Sequence, residues 1–157
     1  MMDKTEKLIS LLKEKKITIG SVESLTAGLF GSTLCSIPGA SAVYKGGIIT
    51  YSPSLKTSLV DVPAKLIEEK GVVSIEVAKA MAEGGLKKMD VDLCVSFTGN
   101  AGPTAEKGEA PVGMVCMAIA RKDKETYTFS KIFKGDRNKV RAECINEMVK
   151  RIIDLCS

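Results

Sequence analysis

The chain has 157 residues, 45% of them hydrophobic and 27% charged, and a formal net charge of +4. These values fit one globular domain over residues 1–157 and exclude a disordered chain; the charge suits a phosphate-bearing substrate but is too mild and too evenly spread to argue for nucleic-acid binding. Histidine is absent, which excludes Ser-His-Asp and Cys-His catalysis and every His-ligated metal site.

Tryptophan is also absent and aromatics make up 4%, which argues against a base-stacking platform for nucleic acid. No apolar run approaches the ~20 residues needed to span a membrane, and the opening MMDKTEKLISLLKEKK has no signal-peptide core. The expected location is the cytoplasm, with neither a membrane nor a nucleic acid as partner. Cys35, Cys94, Cys116, Cys144 and Cys156 form no C-x-x-C pair, against both a disulfide framework and a zinc site. No metal and no cofactor is expected.

In chain order, Leu8, Ile9, Leu11 and Leu12 among Lys and Glu predict an amphipathic helix from Asp3 to Lys16. Ile17, Ile19 and Val22 supply the character of a buried strand, with Ser21, Glu23, Ser24 and Thr26 crowding the turn at its end. The turn runs into a small-residue helix beginning at Ala27 to Phe30 and ending near Cys35, before Pro38-Gly39. A hydroxyl at that junction, Ser24 or Thr26, is either an N-cap or a nucleophile beside free N–H groups. Gly46 to Tyr51 reads as a buried strand, followed by a short helix over SLKTSLV and another over AKLIEEKG after Pro63. Ser74 caps a longer helix with Val77, Ala78, Met81 and Ala82 inward. Val91 to Thr98 and Val112 to Ala120 are strongly apolar strands; Thr126 to Phe133 alternates, as an edge strand does. Asp136 caps a final helix carrying Val140, Cys144, Met148, Ile152 and Leu155. The expected architecture is a single three-layer α/β/α domain with a mixed, mostly parallel sheet.

Four polar segments fall at strand ends or loops: Glu23 to Gly28; Thr50-Tyr51-Ser52 with Lys56; Thr98-Gly99-Asn100-Ala101-Gly102-Pro103; and Gly135-Asp136-Arg137 with Arg141. Strand ends along one edge of an α/β sheet converge on one crevice. Without histidine, a serine needs another base, and a lysine serves if burial lowers its pKa. Lys56 is that candidate, or a solvated helix lysine. Tyr51 either orients a Ser–Lys pair or is a half-buried aromatic. Glu23 either bonds N–H groups of the turn or balances Lys56. The Thr98 to Pro103 loop has the composition to cradle a phosphate through backbone N–H groups, though it is neither a Walker A nor a G-x-G-x-x-G loop. Arg137 and Arg141, one turn apart, either clamp a phosphate or carboxylate or are ordinary helix-surface charges.

Together these segments resemble the CinA C-terminal domain family. Ser21 to Gly28 is similar to its (A/S)-E-S-x-T-(G/A)-G signature, and Gly46 to Ser52 with Lys56 to its G-x-x-x-T-Y-S-N-x-x-K segment. Gly71-Val72-Val73-Ser74 resembles its G-A-V-S turn. Thr98 to Pro103 and Pro111-Val112-Gly113 resemble its (S/T)-G-x-A-G-P and P-V-G segments, and Gly135 to Arg141 its G-D-R-x-x-(V/I)-R helix start. The match is collinear over essentially the whole chain. Leu25, Ala27 and Pro53 depart from the pattern, standing where cysteine, glycine and asparagine are usual.

The resemblance implies a metal-independent nicotinamide-nucleotide amidase, which hydrolyses nicotinamide mononucleotide to nicotinic acid mononucleotide and ammonia. It maps the nucleophile onto Ser24, the general base onto Lys56 and an assisting hydroxyl onto Tyr51. Substrate contacts are expected from Glu23, Thr26, Gly28, Gly46, Thr98, Gly99, Asn100, Ala101, Gly102, Arg137 and Arg141. The resemblance also suggests a homodimer or higher homo-oligomer. Two other readings stand beside it: an amidase acting on another small amide, and a non-catalytic nucleotide-binding module in which Ser24 is only a cap.

Overall fold

A computed structural model describes residues 3–157; Met1 and Met2, included in the expected domain, lie outside the described residues. The described chain forms a three-layer α/β/α sandwich around a five-stranded mixed sheet of order β2-β1-β3-β4-β5. The strands are β1 (Ile19–Glu23), β2 (Tyr44–Ile49), β3 (Leu93–Gly99), β4 (Met114–Arg121) and β5 (Tyr127–Ile132). β2, β1 and β3 run parallel, and β4 and β5 add two antiparallel pairings. Of the helices, α1 (Lys4–Lys15), α2 (Leu29–Cys35) and α6 (Arg137–Cys156) cover one face; α3 (Pro53–Val60), α4 (Ala64–Lys70) and α5 (Ile75–Met89) pack on the other.

The alternation of the central strands assigns each side chain to a layer. Val95 and Phe97 of β3 join Leu8, Leu12, Phe30 and Met148 in one core. Cys94 faces the opposite core with Val22, Val77 and Met81, and Cys116 packs there against Ala78 and Ala82. The cysteines at 94 and 116 are thus buried core residues, as their apolar strands predict. Asp136 and Ser74 cap their helices, accepting from the N–H groups of Lys139 and Val77.

Two expectations need correction. The strand predicted at Gly46 to Tyr51 starts earlier, ends at Ile49, and is not buried: its residues alternate between partly buried and exposed. Among the described residues its only strand neighbour is β1, so it forms a sheet edge. α2 starts at Leu29 instead of Ala27, because Ala27 (φ 44°) and Gly28 (φ 96°) both lie in the left-handed region, which no right-handed helix accommodates.

Two successive glycines in α5, Gly84 and Gly85, let this helix sit close to its neighbours. A Cβ on Gly84 would collide with the Val60 carbonyl at the end of α3, and one on Gly85 would run into Val22 and Cys94. α3 also carries Lys56, so the small face of α5 fixes where that lysine stands. Gly84→Ala is expected to destabilise the fold by about 1–3 kcal/mol through overpacking against backbone, measured as a lower urea midpoint at unchanged m-value, with weakened reactivity of the site on α3.

Candidate active site

The carboxyl ends of β1, β2 and β3, the start of β4 and the loop before α6 all lie at one end of the sheet, which follows from the parallel and antiparallel pairings. Ser24 is the first residue beyond β1. Its N–H donates to the Phe97 carbonyl of β3, at 3.1 Å. Lys56 lies one turn into α3, and its side chain is fully buried. Lys56 Nζ is 3.0 Å from Ser24 Oγ and donates to the Thr50 carbonyl at 2.6 Å. Among the described residues it forms no ion pair. Burial without a carboxylate penalises the ammonium form and lowers the pKa from 10.5 to about 8. The pair is therefore a hydroxyl touching an amine that loses its proton near pH 8, well below an ordinary lysine.

The turn that presents Ser24 is held from two sides. Glu23, only 1% exposed, accepts four hydrogen bonds: Gly28 and Phe30 N–H on one oxygen, and Gly31 N–H and the Ser21 hydroxyl on the other. It occupies the start of α2, so those N–H groups are already used, and the expected vacancy at the helix end does not exist. Of its two sequence readings, Glu23 takes the first; it builds the turn and has no oxygen left over for a ligand. Ser21 and Tyr44, neither singled out from the sequence, extend this network through a 2.9 Å hydroxyl contact. The available signal was Ser21 and Glu23 two apart in an apolar strand, because buried polar groups on one strand face need partners.

From the other side, Arg141 Nε donates to the Leu25 carbonyl at 2.8 Å, and its Nη2 to the Thr26 carbonyl at 3.2 Å. The guanidinium expected to clamp a phosphate is thus bound to the nucleophile turn. Thr26 does not act as a cap: its hydroxyl is buried with no hydrogen-bond partner among the described residues. Ala27 is exposed, in a conformation that costs a residue with a Cβ roughly 1 kcal/mol.

Other expected positions sort differently. Tyr51 is 58% exposed and bonds Arg137 Nη2 at 3.0 Å; no hydrogen bond joins it to Ser24 or Lys56. Arg137 Nη1 also donates to the Gly102 carbonyl at 2.7 Å, so this arginine ties three loops together across the mouth of the site. Gly46 pairs with Gly20, three residues back along the strand from the Glu23–Ile49 level, about 10 Å from the turn. The Thr98 hydroxyl is tied to the Val72 carbonyl at 2.8 Å. Gly99 closes β3. Asn100 holds its own loop, donating to the Thr104 and Ala110 carbonyls and accepting from Gly102 N–H, while its own N–H donates to Met114. Ala101 is buried. The loop's N–H groups at Asn100 and Gly102 are consumed in shaping it, while those of Ala101 and Thr104 have no partner among the described residues.

A Ser/Lys pair beneath the carboxyl ends of a mixed α/β sheet, with no histidine in the chain, defines a class of domain. A sequence model of the CinA C-terminal domain matches residues 2–156, and the chain belongs to that family. It is 42% identical over 142 residues to a protein of Listeria welshimeri named as competence-damage inducible, covering 90% of this chain and 34% of that protein. It is 43% identical over 136 residues to a CinA-like protein of Leptospira borgpetersenii, covering 87% of this chain and 32% of that one. The chain therefore spans about a third of the length of these curated relatives. The crystal structure of a competence or damage-inducible protein from Enterobacter asburiae superposes with TM-score 0.94 at 25% identity, over 98% of this chain and 96% of that one. A CinA superfamily protein from Escherichia coli superposes with TM-score 0.92 at 27% identity, over 97% and 88%.

The buried carboxylate predicts its own test. Glu23→Ala leaves three backbone N–H groups without their acceptor and is expected to cost about 3–5 kcal/mol, seen in chemical denaturation. Ala27→Gly relieves the left-handed strain and is expected to raise stability by up to about 1 kcal/mol.

Proposed function

We propose that the chain is a Ser/Lys amidohydrolase that converts nicotinamide mononucleotide to nicotinic acid mononucleotide and ammonia. The observation that supports this reading best is the 3.0 Å contact between Ser24 Oγ and a fully buried Lys56 Nζ that has no counter-charge. A binding module does not require a buried lysine with no counter-charge beside a hydroxyl. The choice of substrate rests on the family resemblance. The names of the relatives say only that they are CinA-like or competence-damage inducible.

In this mechanism neutral Lys56 accepts the Ser24 proton as Oγ bonds to the amide carbon, and the carbonyl becomes an oxyanion. The Lys56 ammonium then returns the proton to the amide nitrogen as the C–N bond breaks, releasing ammonia and leaving an ester on Ser24. A water molecule attacks that ester, passing its proton to Lys56 and on to Ser24 Oγ, and the carboxylate product leaves. Among the described residues the N–H groups of Leu25 and Thr26 have no hydrogen-bond partner, and these are the donors assigned to the oxyanion. Tyr51 and Arg137 close the mouth in this reading and do not touch the reacting atoms. The proposal includes a cytoplasmic setting and a homodimer or higher homo-oligomer. Exposed Ile49 at the end of β2 and exposed Leu55 and Leu59 on α3 are the apolar side chains assigned to the contact between copies.

Ammonia release from nicotinamide mononucleotide is expected from the wild type and is expected to fall by at least about 10^4-fold in Ser24→Ala. Equal activity of the two proteins would remove Ser24 from the mechanism, and an inactive wild type would remove this substrate. Because the working base is unprotonated, kcat/KM should rise with pH to a plateau above about 8. Lys56→Met should lose turnover yet gain stability at pH 7, where the folded protein carries the buried ammonium. The unfolded chain holds that proton up to pH 10.5 and the folded one only to about 8, so wild-type stability recovers with rising pH across that window. At neutral pH the penalty is about 3 kcal/mol, partly offset by the bonds to Ser24 and Thr50. A thermal midpoint higher in Lys56→Met than in wild type at pH 7, with the gap narrowing towards pH 10, is the expected result.

A further inference from the structure

Arg141 donates through Nε to the Leu25 carbonyl and through Nη2 to the Thr26 carbonyl, across 116 and 115 residues of sequence. Its Nη1 is held by the Asn138 side chain one turn back in α6, at 3.2 Å. Every terminal branch of this guanidinium is engaged by the protein, so it has little left to offer a ligand directly. Its two long-range contacts land instead on the turn that carries the nucleophile.

The Leu25 carbonyl and the Thr26 N–H belong to one peptide unit, which is planar and trans, so the two groups point in opposite directions. A cation on the carbonyl fixes that plane and draws electron density from the nitrogen, making the N–H a stronger donor. The Thr26 N–H has no partner among the described residues, and neither does the Leu25 N–H of the preceding peptide. That preceding unit is fixed in its turn, since the Ser24 carbonyl accepts from Ala27 N–H at 3.1 Å. Two adjacent peptides therefore have their carbonyls anchored and their N–H groups vacant, immediately after Ser24.

We infer that Arg141 is a positioning residue, which holds and polarises the Leu25–Thr26 peptide so that its N–H stabilises the oxyanion formed on attack by Ser24. The inference rests on the Ser24 reading given above and adds the source of the oxyanion field. It differs from a phosphate clamp in what it governs. A clamp sets KM for a phosphorylated substrate, whereas a polarised peptide sets the rate of bond formation at Ser24 for any acyl group, phosphorylated or not.

The experiment compares wild type, Arg141→Ala and Arg141→Lys in three assays. The first is pre-steady-state acylation by p-nitrophenyl acetate, which needs only the nucleophile and the oxyanion donors. The second and third are ammonia release from nicotinamide mononucleotide and from nicotinamide riboside, the same amide without its phosphate. Arg141→Ala is expected to slow acylation about 10- to 100-fold, somewhat less than deleting an oxyanion donor outright. It should lower kcat for both amides by a similar factor with KM little changed, and millimolar guanidinium should restore part of the rate. Arg141→Lys keeps the charge but not the planar two-carbonyl fit and should be intermediate; it carries the test if the alanine variant does not fold. Unchanged acylation, or a rise in KM confined to the phosphorylated amide, would overturn the inference. Absence of ammonia release from wild type, with acylation still dependent on Arg141, would instead overturn the proposed substrate and leave the positioning role standing.

Discussion

The site depends on an amine with no counter-charge. Lys56 is buried against a serine hydroxyl and a backbone carbonyl, and among the described residues nothing acidic pairs with it. Burial of an unpaired lysine is among the more expensive arrangements a fold can hold, of the order of 3 kcal/mol for the shift found here. The surrounding structure reads as the means of bearing it. Gly84 lets α5 pack against the end of α3, and Val60 and Val62 seal the lysine's helix into the core. The Thr50 carbonyl, projected beyond the edge strand, supplies the one strong acceptor. The same burial that weakens the fold makes the amine a usable base, so stability and reactivity trade against each other through one side chain.

The second constraint is the turn from Ser24 to Gly28. A short loop between a strand and a helix has more backbone groups than it can satisfy internally. Here a carboxylate takes the N–H groups on one side and a guanidinium takes the carbonyls on the other. Glu23 and Arg141 do not pair with each other; the polarised turn lies between them. This division leaves two N–H groups beside the nucleophile unclaimed, which a turn capped by its own hydroxyls would not guarantee.

Much of the fold was legible in the residues. The apolar runs at β3 and β4 and the caps at Ser74 and Asp136 are local signals, and the structure follows them. The edge position of β2 was not legible, because GGIITY has the composition of a buried strand and only the strand order exposes it. Ser24 and Lys56 could be named from motif and from the lack of histidine, yet their contact is made across 32 residues and is a tertiary fact. Helix spacing puts Arg137 and Arg141 one turn apart but does not show which oxygens they meet, and Arg141 meets the Leu25 and Thr26 carbonyls. The partner of Tyr51 was equally beyond local signals: its hydroxyl accepts from Arg137, 86 residues away.

The account stands or falls on the protonation state of Lys56. In protein labelled with 13C at the lysine ε-carbon, its NMR resonance, assigned by its loss in Lys56→Met, should titrate with a midpoint near 8. A Lys56 midpoint near the ordinary lysine value of 10.5 would leave almost no neutral amine to accept the Ser24 proton, and the Ser24–Lys56 mechanism would be contradicted.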